Sequence, residues 1–271
     1  MKVVLFCGGF GTRLREHSET IPKPMVSIGT RPMMWHLMKY YAHFGHREFI
    51  LCLGYRGDLI KQYFLNYDEC LSNDFVFSRG GRDLQLFNRD IDDWKITFAD
   101  TGMHSNIAER LKAVEHYLDG EDMFLANYSD GLSDLDLNTY IENFKRQSAT
   151  AGFVAVQPNY TFHMVSFGED DYVTEIRDMK KSDVWINGGF FILRREIFDS
   201  IQPGDELAAE TFRRLVDKQA LMGQRHHGFW ACMDTLKDKM LFDDMAARGE
   251  TPWAVWQQGH GQPHRPPTTP R

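Results

Sequence analysis

A chain of 271 residues with 42% hydrophobic side chains carries enough apolar material for a sizeable core, as one large or two small domains. Its formal charge of −7 argues against a protein that coats nucleic acid, but a few local cations still suit a small anionic substrate. The four cysteines, Cys7, Cys52, Cys70 and Cys232, form no C-x-x-C pair and no metal-ligand spacing, so they read as reduced core thiols and not as a zinc site.

Residues 2–7 form an apolar run that predicts a buried strand opening into Gly8-Gly9. The run is too short for the apolar region of a signal peptide and no spanning segment follows, so a cytoplasmic protein without a membrane partner is expected. Residues 33–44 predict a helix, with Met34, Leu37, Met38 and Tyr41 on one face and Gly45 as its stop. Phe49 to Leu53 predicts a second strand, closed by Gly54; Asp58 is placed to cap the helix that carries Leu59, Ile60, Tyr63 and Phe64. Region 68–95 is irregular, with Arg79-Gly80-Gly81-Arg82 as a turn between short strands. Ile96 to Ala99 predicts a strand, residues 107–118 a helix, Met123 to Ala126 a strand, residues 136–147 a helix and Gly152 to Val156 a strand. Beyond 160, short strands mix with one long helix near 205–222, and a last helix covers about 235–248. The tail from Gln257, with Pro263, Pro266, Pro267 and Pro270, reads as a flexible extension.

Alternating strands and helices predict an α/β fold, a Rossmann-like, mostly parallel sheet flanked by helices, with a smaller mixed region behind it. Residues 1–256 are expected to be one domain, with a nucleotide half over about 1–135 and an acceptor half over about 136–256. Ligands in such folds bind at the carboxyl ends of strands, and the polar segments 8–13, 100–110 and 127–131 all sit there.

The loop Gly8-Gly9-Phe10-Gly11-Thr12-Arg13-Leu14 lets backbone approach an anion, and Arg13 adds a fork of donors for phosphate oxygens. It is not a Walker loop, for no Gly-Lys-Ser/Thr follows, nor the dinucleotide fingerprint, for Leu14 stands at the third glycine. Lys23, between Pro22 and Pro24, is held in restricted backbone close after the loop, within reach of phosphates. Asp130 at a strand end and Asp234 before the last helix are open to two readings each: a turn residue or a cation ligand for the first, a helix cap or a cation ligand for the second.

Together, G-G-x-G-T-R-L, K-P-M and a helix with Pro32 at its start resemble the sugar-phosphate nucleotidyltransferase family, within it the cytidylyltransferases. The resemblance runs to about Trp256 and includes Leu53-Gly54-Tyr55-Arg56-Gly57, Asp100-Thr101-Gly102, Arg110-Leu111-Lys112, Tyr128-Ser129-Asp130-Gly131, Ile186-Asn187-Gly188-Gly189 and Met233-Asp234-Thr235. It implies the GT-A-like fold, a homo-oligomer, and the joining of CMP from CTP to a phosphorylated small molecule with release of pyrophosphate. It also implies Mg²⁺ held by Asp130 and Asp234, which fits an ion that takes few carboxylates plus phosphate oxygens. Arg13 and Lys23 join the two aspartates as the catalytic set. Leu5, Cys7, Gly8, Gly9, Gly11, Thr12, Arg110 and Tyr128 complete the nucleotide contacts, and Lys180, Asn187, Gly188, Trp230 and Asp234 face the acceptor. UTP or dTTP in place of CTP, and a non-catalytic homologue that binds nucleotide sugars, are the alternatives.

Three departures from the family pattern stand out. Met179 occupies the lysine position of a Glu-Lys-Pro segment, unless Lys180 serves through a one-residue shift. Thr161-Phe162-His163 replaces an Arg-Phe-Gly stretch, and Ala108-Glu109 replaces Gly-Gly before Arg110. The nucleotide side thus looks conventional and the acceptor side altered, which leaves room for an acceptor other than glucose 1-phosphate.

Overall fold

The computed structural model describes residues 1–9, 21–158, 162–179 and 182–257. Gly11, Thr12, Arg13, Lys180 and the tail beyond 257 therefore lie outside the described residues. The central sheet is built from β1 (Val3–Phe6), β2 (Glu48–Leu53), β3 (Lys95–Asp100), β4 (Met123–Tyr128), β5 (Ala151–Val156), β6 (Ile186–Asn187), β7 (Phe191–Arg194) and β8 (Leu221–His226). Strands β3, β2, β1 and β4 lie side by side and parallel. β7 joins β4 antiparallel, and β5 pairs with both β6 and β7 along one edge and with β8, parallel, along the other. Residues 186–194 are thus one strand interrupted by Gly188-Gly189-Phe190, and every other strand of the sheet runs the opposite way.

The middle of the sheet is buried on both faces because its central strands β1 and β2 are apolar along nearly their whole length. In β1, Val3 and Leu5 enter one core with Phe49, Leu51 and Leu53, while Val4 and Phe6 enter the other with Ile50 and Cys52. Helices α1 (Met33–His43), α4 (Leu137–Lys145) and α6 (Leu236–Arg248) contribute to the first core. Helices α3 (Ile107–Ala113) and α5 (Phe212–Asp217) contribute to the second. Helix α2 (Gly57–Leu65) sends only Ile60 fully inside. No helix among the described residues is long and apolar enough to cross a membrane.

Three expectations change. The helix expected over 107–118 is α3 followed by a tighter 3₁₀ turn, Glu115–Leu118, which still keeps Leu111, Val114 and Leu118 on the core face. The long helix near 205–222 shrinks to a π-helical turn, Leu207–Thr211, and α5. Gln219 at φ +54° ends it, and Leu221 onward becomes β8 because the free edge of β5 offers a full ladder of partners. Asp58 is not a cap: Arg56 precedes α2 at φ +50°, and Asp58 lies in the first turn, paired with the Arg56 side chain.

The excursion 66–94 is fastened to α1 by a polar cluster that periodicity does not reveal. Arg31, 2% exposed, donates from Nη2 to Asp68 O at 2.7 Å and from Nε to Ser72 Oγ at 2.9 Å. Its guanidinium stacks 4.3 Å from the Tyr67 ring centre. Burial works against the Asp90 carboxylate, but Lys39 at 2.8 Å and donors from Ser72 and Asn73 hold its pKa below the usual carboxylate range.

Beside this cluster, His36 sits among Trp35, Trp253 and Trp256. Its Nε2 meets Ile28 O at 3.1 Å, while Nδ1 accepts from Trp253 Nε1 at 3.4 Å. That pairing requires the neutral ring, with the proton on Nε2. Burial depresses the ring's pKa to about 4. Because the folded value is the lower one, the unfolded chain takes up the proton first. The stabilising contribution is therefore full above pH ~6.5 and is lost as pH falls from there toward 4. Urea unfolding at pH 7 and pH 4.5 should show a loss of roughly 2 kcal/mol from this residue, and His36→Gln should shrink the difference by that amount.

Candidate active site

The parallel strands β1 to β4 end side by side, and each hands over to a polar segment at the same edge of the sheet. After β1, Cys7 N donates to Cys52 O at 3.0 Å, and Gly8 O then accepts from Tyr55 N at 3.4 Å. After β3, Thr101 N donates to Leu53 O at 3.0 Å. After β4, Ser129 Oγ donates to Phe6 O at 2.6 Å. One crevice thus joins 8–9, 100–103 and 127–131, as the spacing of the segments predicts.

Arg110 fastens the floor of this crevice. It is 3% exposed, with its guanidinium turned toward the strand ends. It donates to Gly8 O at 3.1 Å, Leu53 O at 3.1 Å, Thr101 Oγ1 at 2.8 Å, Gly102 O at 2.8 Å and Met103 O at 3.3 Å. One buried charge therefore ties together the ends of three strands, and its reach explains two glycines. A Cβ on Gly8 would land on the guanidinium, and one on Gly54 would lie 2.8 Å from both Arg110 Nη1 and Gly8 O. Of the Ala108-Glu109 departure, Ala108 is fully buried, and the Glu109 carboxylate accepts from Asn106 N at 2.8 Å in a capping box that starts α3. The charge of Glu109 is spent on that cap.

Leu5 and Cys7 also belong beneath the site. Both are fully buried; Leu5 is a core side chain whose backbone pairs with Leu51 on one side and Asn127 on the other. Burial pushes the Cys7 thiol up to about 12. Gly9 is exposed at the mouth of the crevice, with open space where a Cβ would stand.

The carboxylates come from distant parts of the chain. Asp130 immediately precedes the short strand Gly131–Ser133, which pairs antiparallel with Trp230–Cys232. The ladder places Gly131 opposite Cys232, and Met233 N donates to Asp130 O at 2.8 Å. Asp234 follows directly. It does not cap α6, since Thr235 does so in a capping box with Asp238, leaving the Asp234 carboxylate free of that duty. Lys23 enters from a 3₁₀ turn, Lys23–Met25, closed by Val26 N donating to Lys23 O at 3.1 Å. Its ammonium meets Asp130 Oδ2 at 2.6 Å and Asp234 Oδ1 at 2.5 Å. The three side chains are only 15%, 30% and 24% exposed. Burial works against the ammonium, but the charges and hydrogen bonds of Asp130 and Asp234 outweigh it and hold its pKa above the usual lysine value. Cys232 Sγ lies 3.5 Å from Asp234 Oδ2, and burial together with the two carboxylates raises that thiol to about 12.

The donor set suits Mg²⁺. Two carboxylates of hard oxygen converge on a single positive centre, and no group of three or more His, Cys, Asp or Glu side chains that could hold a metal occurs among the described residues. That matches an ion completed by substrate phosphate oxygens and not one caged by protein alone.

Across from Asp130, the interruption between β6 and β7 shapes the other wall. Gly189 and Phe190 adopt φ of +78° and +50°, and a Cβ on Gly189 would meet Asn127 Oδ1 at 2.7 Å. Asn127, 1% exposed, donates to Tyr41 OH at 3.0 Å. Asn187 Oδ1 accepts from Gly189 N at 2.9 Å, and its Nδ2 points at Tyr128 OH, 3.5 Å away. Trp230 Nε1 donates to Gly188 O at 2.8 Å. Asn187, Gly188 and Trp230 thus form one unit beside the two aspartates. A cleft of about 130 Å³ opens against Trp230, lined also by Val156, Gln157, His226, His227, Gly228 and Phe229. Met179, at the departed lysine position, is tied by its backbone N to Phe162 O at 3.0 Å.

A family model described as "Nucleotidyl transferase" matches residues 2–238. The chain belongs to the nucleotidyl transferase family. It is 36% identical over 259 residues to the glucose-1-phosphate cytidylyltransferase of Salmonella typhi, covering 95% of this chain and all of that protein. It is 26% identical over 247 residues to the mannose-1-phosphate guanyltransferase of Saccharomyces cerevisiae, covering 88% of this chain and 62% of the other. Among solved structures, UDP-glucose pyrophosphorylase complexed with UDP-glucose superposes with a TM-score of 0.67 at 14% identity, over 92% of this chain and 98% of that one. This nucleotidyl transferase therefore has the GT-A-like fold expected from its sequence.

Sequence reasoning misses Thr101, Ser129, Asn127 and Gly54 as parts of the frame. The available signal is a polar side chain inside or directly after an apolar strand, where burial demands a partner. The fit between Gly8 and Arg110 gives a test. Gly8→Ala should lower stability by roughly 1–3 kcal/mol in urea unfolding and weaken nucleotide binding in titration calorimetry, because the buried Arg110 has nowhere to retreat. Unchanged stability and affinity would count against the fastening role of Arg110.

Proposed function

We propose that this nucleotidyl transferase joins CMP from CTP to a sugar phosphate with release of pyrophosphate. The observation that carries the reading is the convergence of Asp130 and Asp234 on one positive centre beside a strand-end crevice, in a chain that matches cytidylyltransferases along nearly its whole length. An acceptor phosphate oxygen attacks the α-phosphorus of the triphosphate in line, and the bond to pyrophosphate breaks. The acceptor phosphate is ionised near neutral pH, so no strong general base is required. Mg²⁺, held by Asp130 and Asp234, would supply charge neutralisation at the reacting phosphate. Lys23 adds a second positive charge for the phosphates, and Arg13, outside the described residues, is the donor proposed for them as well. Gly8, Gly9, Gly11 and Thr12 supply the loop, and Tyr128 and Arg110 are proposed to complete the nucleotide side. Asn187, Gly188 and Trp230 receive the acceptor, with Lys180 as the cation proposed for its phosphate.

We also propose a cytoplasmic reaction, where nucleotide triphosphates are at hand, and self-assembly. Self-assembly is supported by two hairpins that expose large apolar side chains: Phe77 on the hairpin of Phe75–Ser78 with Asp83–Leu86, and Phe167 and Ile176 on the hairpin of His163–Phe167 with Val173–Asp178.

The base and the acceptor are decided by a panel. CTP should outperform UTP, dTTP and GTP in pyrophosphate release. Asp130→Ala should lower that release at least about a thousandfold with the fold intact by circular dichroism, the magnitude expected when a transition-state charge loses its partner. The departures at Met179 and Thr161-Phe162-His163 lead us to expect an acceptor turned over better than glucose 1-phosphate. Robust turnover of glucose 1-phosphate with nothing better would refute that last point alone.

A further inference from the structure

The ammonium of Lys23 touches both carboxylates at once, at 2.6 and 2.5 Å, and does so from a backbone that cannot easily withdraw. Pro22 and Pro24 flank it, Pro24 is buried, and the turn is pinned by Met25 N to Pro22 O and Val26 N to Lys23 O. The carboxylates are equally fixed, one on each side of the Gly131–Cys232 ladder. The ammonium occupies Asp130 Oδ2 and Asp234 Oδ1, and a divalent ion bound between the same two carboxylates would compete with it for that space. Two cations cannot share that point without severe repulsion in a site so little exposed.

We propose that Lys23 is an internal counter-cation that blocks Asp130 and Asp234 from holding a divalent ion until the triphosphate arrives, so that ion and nucleotide enter as one unit. The incoming phosphates carry the negative charge that draws the ammonium off the carboxylates, and the side chain has a flexible stem to follow them while its backbone stays in place. Lys23 then changes partner once per binding event, from two aspartates to phosphate oxygens. Without Lys23, the two carboxylates would lose this positive neighbour and attract a divalent ion more strongly.

This rests on Asp130 and Asp234 being the ion's ligands, and the experiment separates the two claims. Mn²⁺ serves as the probe, with free ion counted by electron paramagnetic resonance, for the wild type, Lys23→Met, Lys23→Arg and Asp130→Asn. Each is titrated alone and with a non-hydrolysable CTP analogue. The wild type should bind Mn²⁺ weakly alone and much more tightly with the analogue. Lys23→Met should bind Mn²⁺ alone at least about tenfold more tightly than the wild type. Lys23→Arg, which keeps the charge, should resemble the wild type. Lys23→Gln, closer in length and polarity, provides the same comparison if Lys23→Met does not fold. Neutral variants that bind Mn²⁺ alone no better than the wild type overturn the counter-cation role. If Asp130→Asn binds Mn²⁺ with the analogue as well as the wild type does, the ligand assignment fails, and the proposal falls with it.

Discussion

The antiparallel pairing of Gly131–Ser133 with Trp230–Cys232 is the constraint on which the site depends. It is only three residues long, yet it joins the segment after the central strand β4 to the segment before the last helix. Register does the chemistry's positioning. Gly131 opposite Cys232 puts Asp130 and Asp234 just beyond the same end of the ladder, and a slip of one residue would turn one of them away. The ladder is itself held at both ends. At one, Ser133 Oγ donates to Phe229 O at 2.8 Å and Trp230 Nε1 reaches across to Gly188 O; at the other, Met233 N donates to Asp130 O at 2.8 Å. The wall of Asn187, Gly188 and Trp230 proposed to face the acceptor is therefore joined to the carboxylate pair in one hydrogen-bonded assembly, the kind of fixed frame that catalysis by orientation requires.

Beneath that assembly, electrostatics is managed by burial with full pairing. Arg110 and Arg31 are both almost wholly enclosed, and each spends its donors on carbonyl and hydroxyl oxygens of neighbouring loops. A guanidinium suits this use because it stays charged and offers five donors in a plane. The result is a pair of fixed cations, one under the nucleotide crevice and one under the excursion 66–94. Lys23 differs from both. Its partners are charged, it remains partly exposed, and its stem is flexible, so it is the cation able to exchange one partner for another.

Legibility in the sequence follows the kind of interaction. Strands β1 to β5 are legible because each is apolar at consecutive positions, as a sheet covered on both faces requires. The last helix is legible because Thr235 and Asp238 make a local capping box. The stretch 205–226 is not. Its apolar residues suit a helix as well as a strand, and only the unfilled edge of β5 decides that Leu221 onward pairs as β8. Asp58 fails for a related reason. A cap candidate is recognised by residue type, but the turn at Gly54 and the left-handed Arg56 start the helix two residues earlier. Arg110 is legible as important and illegible as to how, since its five acceptors lie on three separate loops.

The sequence by itself determines the family, the alternation of strands and helices, the glycine loop, and the four side chains Arg13, Lys23, Asp130 and Asp234 as the polar set worth watching. These are local facts, written in spacing, backbone freedom and residue type. The tertiary structure alone decides that Lys23, Asp130 and Asp234 share one point, that Arg110 ties the strand ends together from beneath, that Leu5 is core, and that the charge of Glu109 is spent on a helix cap. The reason is that electrostatic contact depends on distance in space. The chain separates Asp130 from Asp234 by the whole acceptor half, and only the pairing of two short strands brings them together.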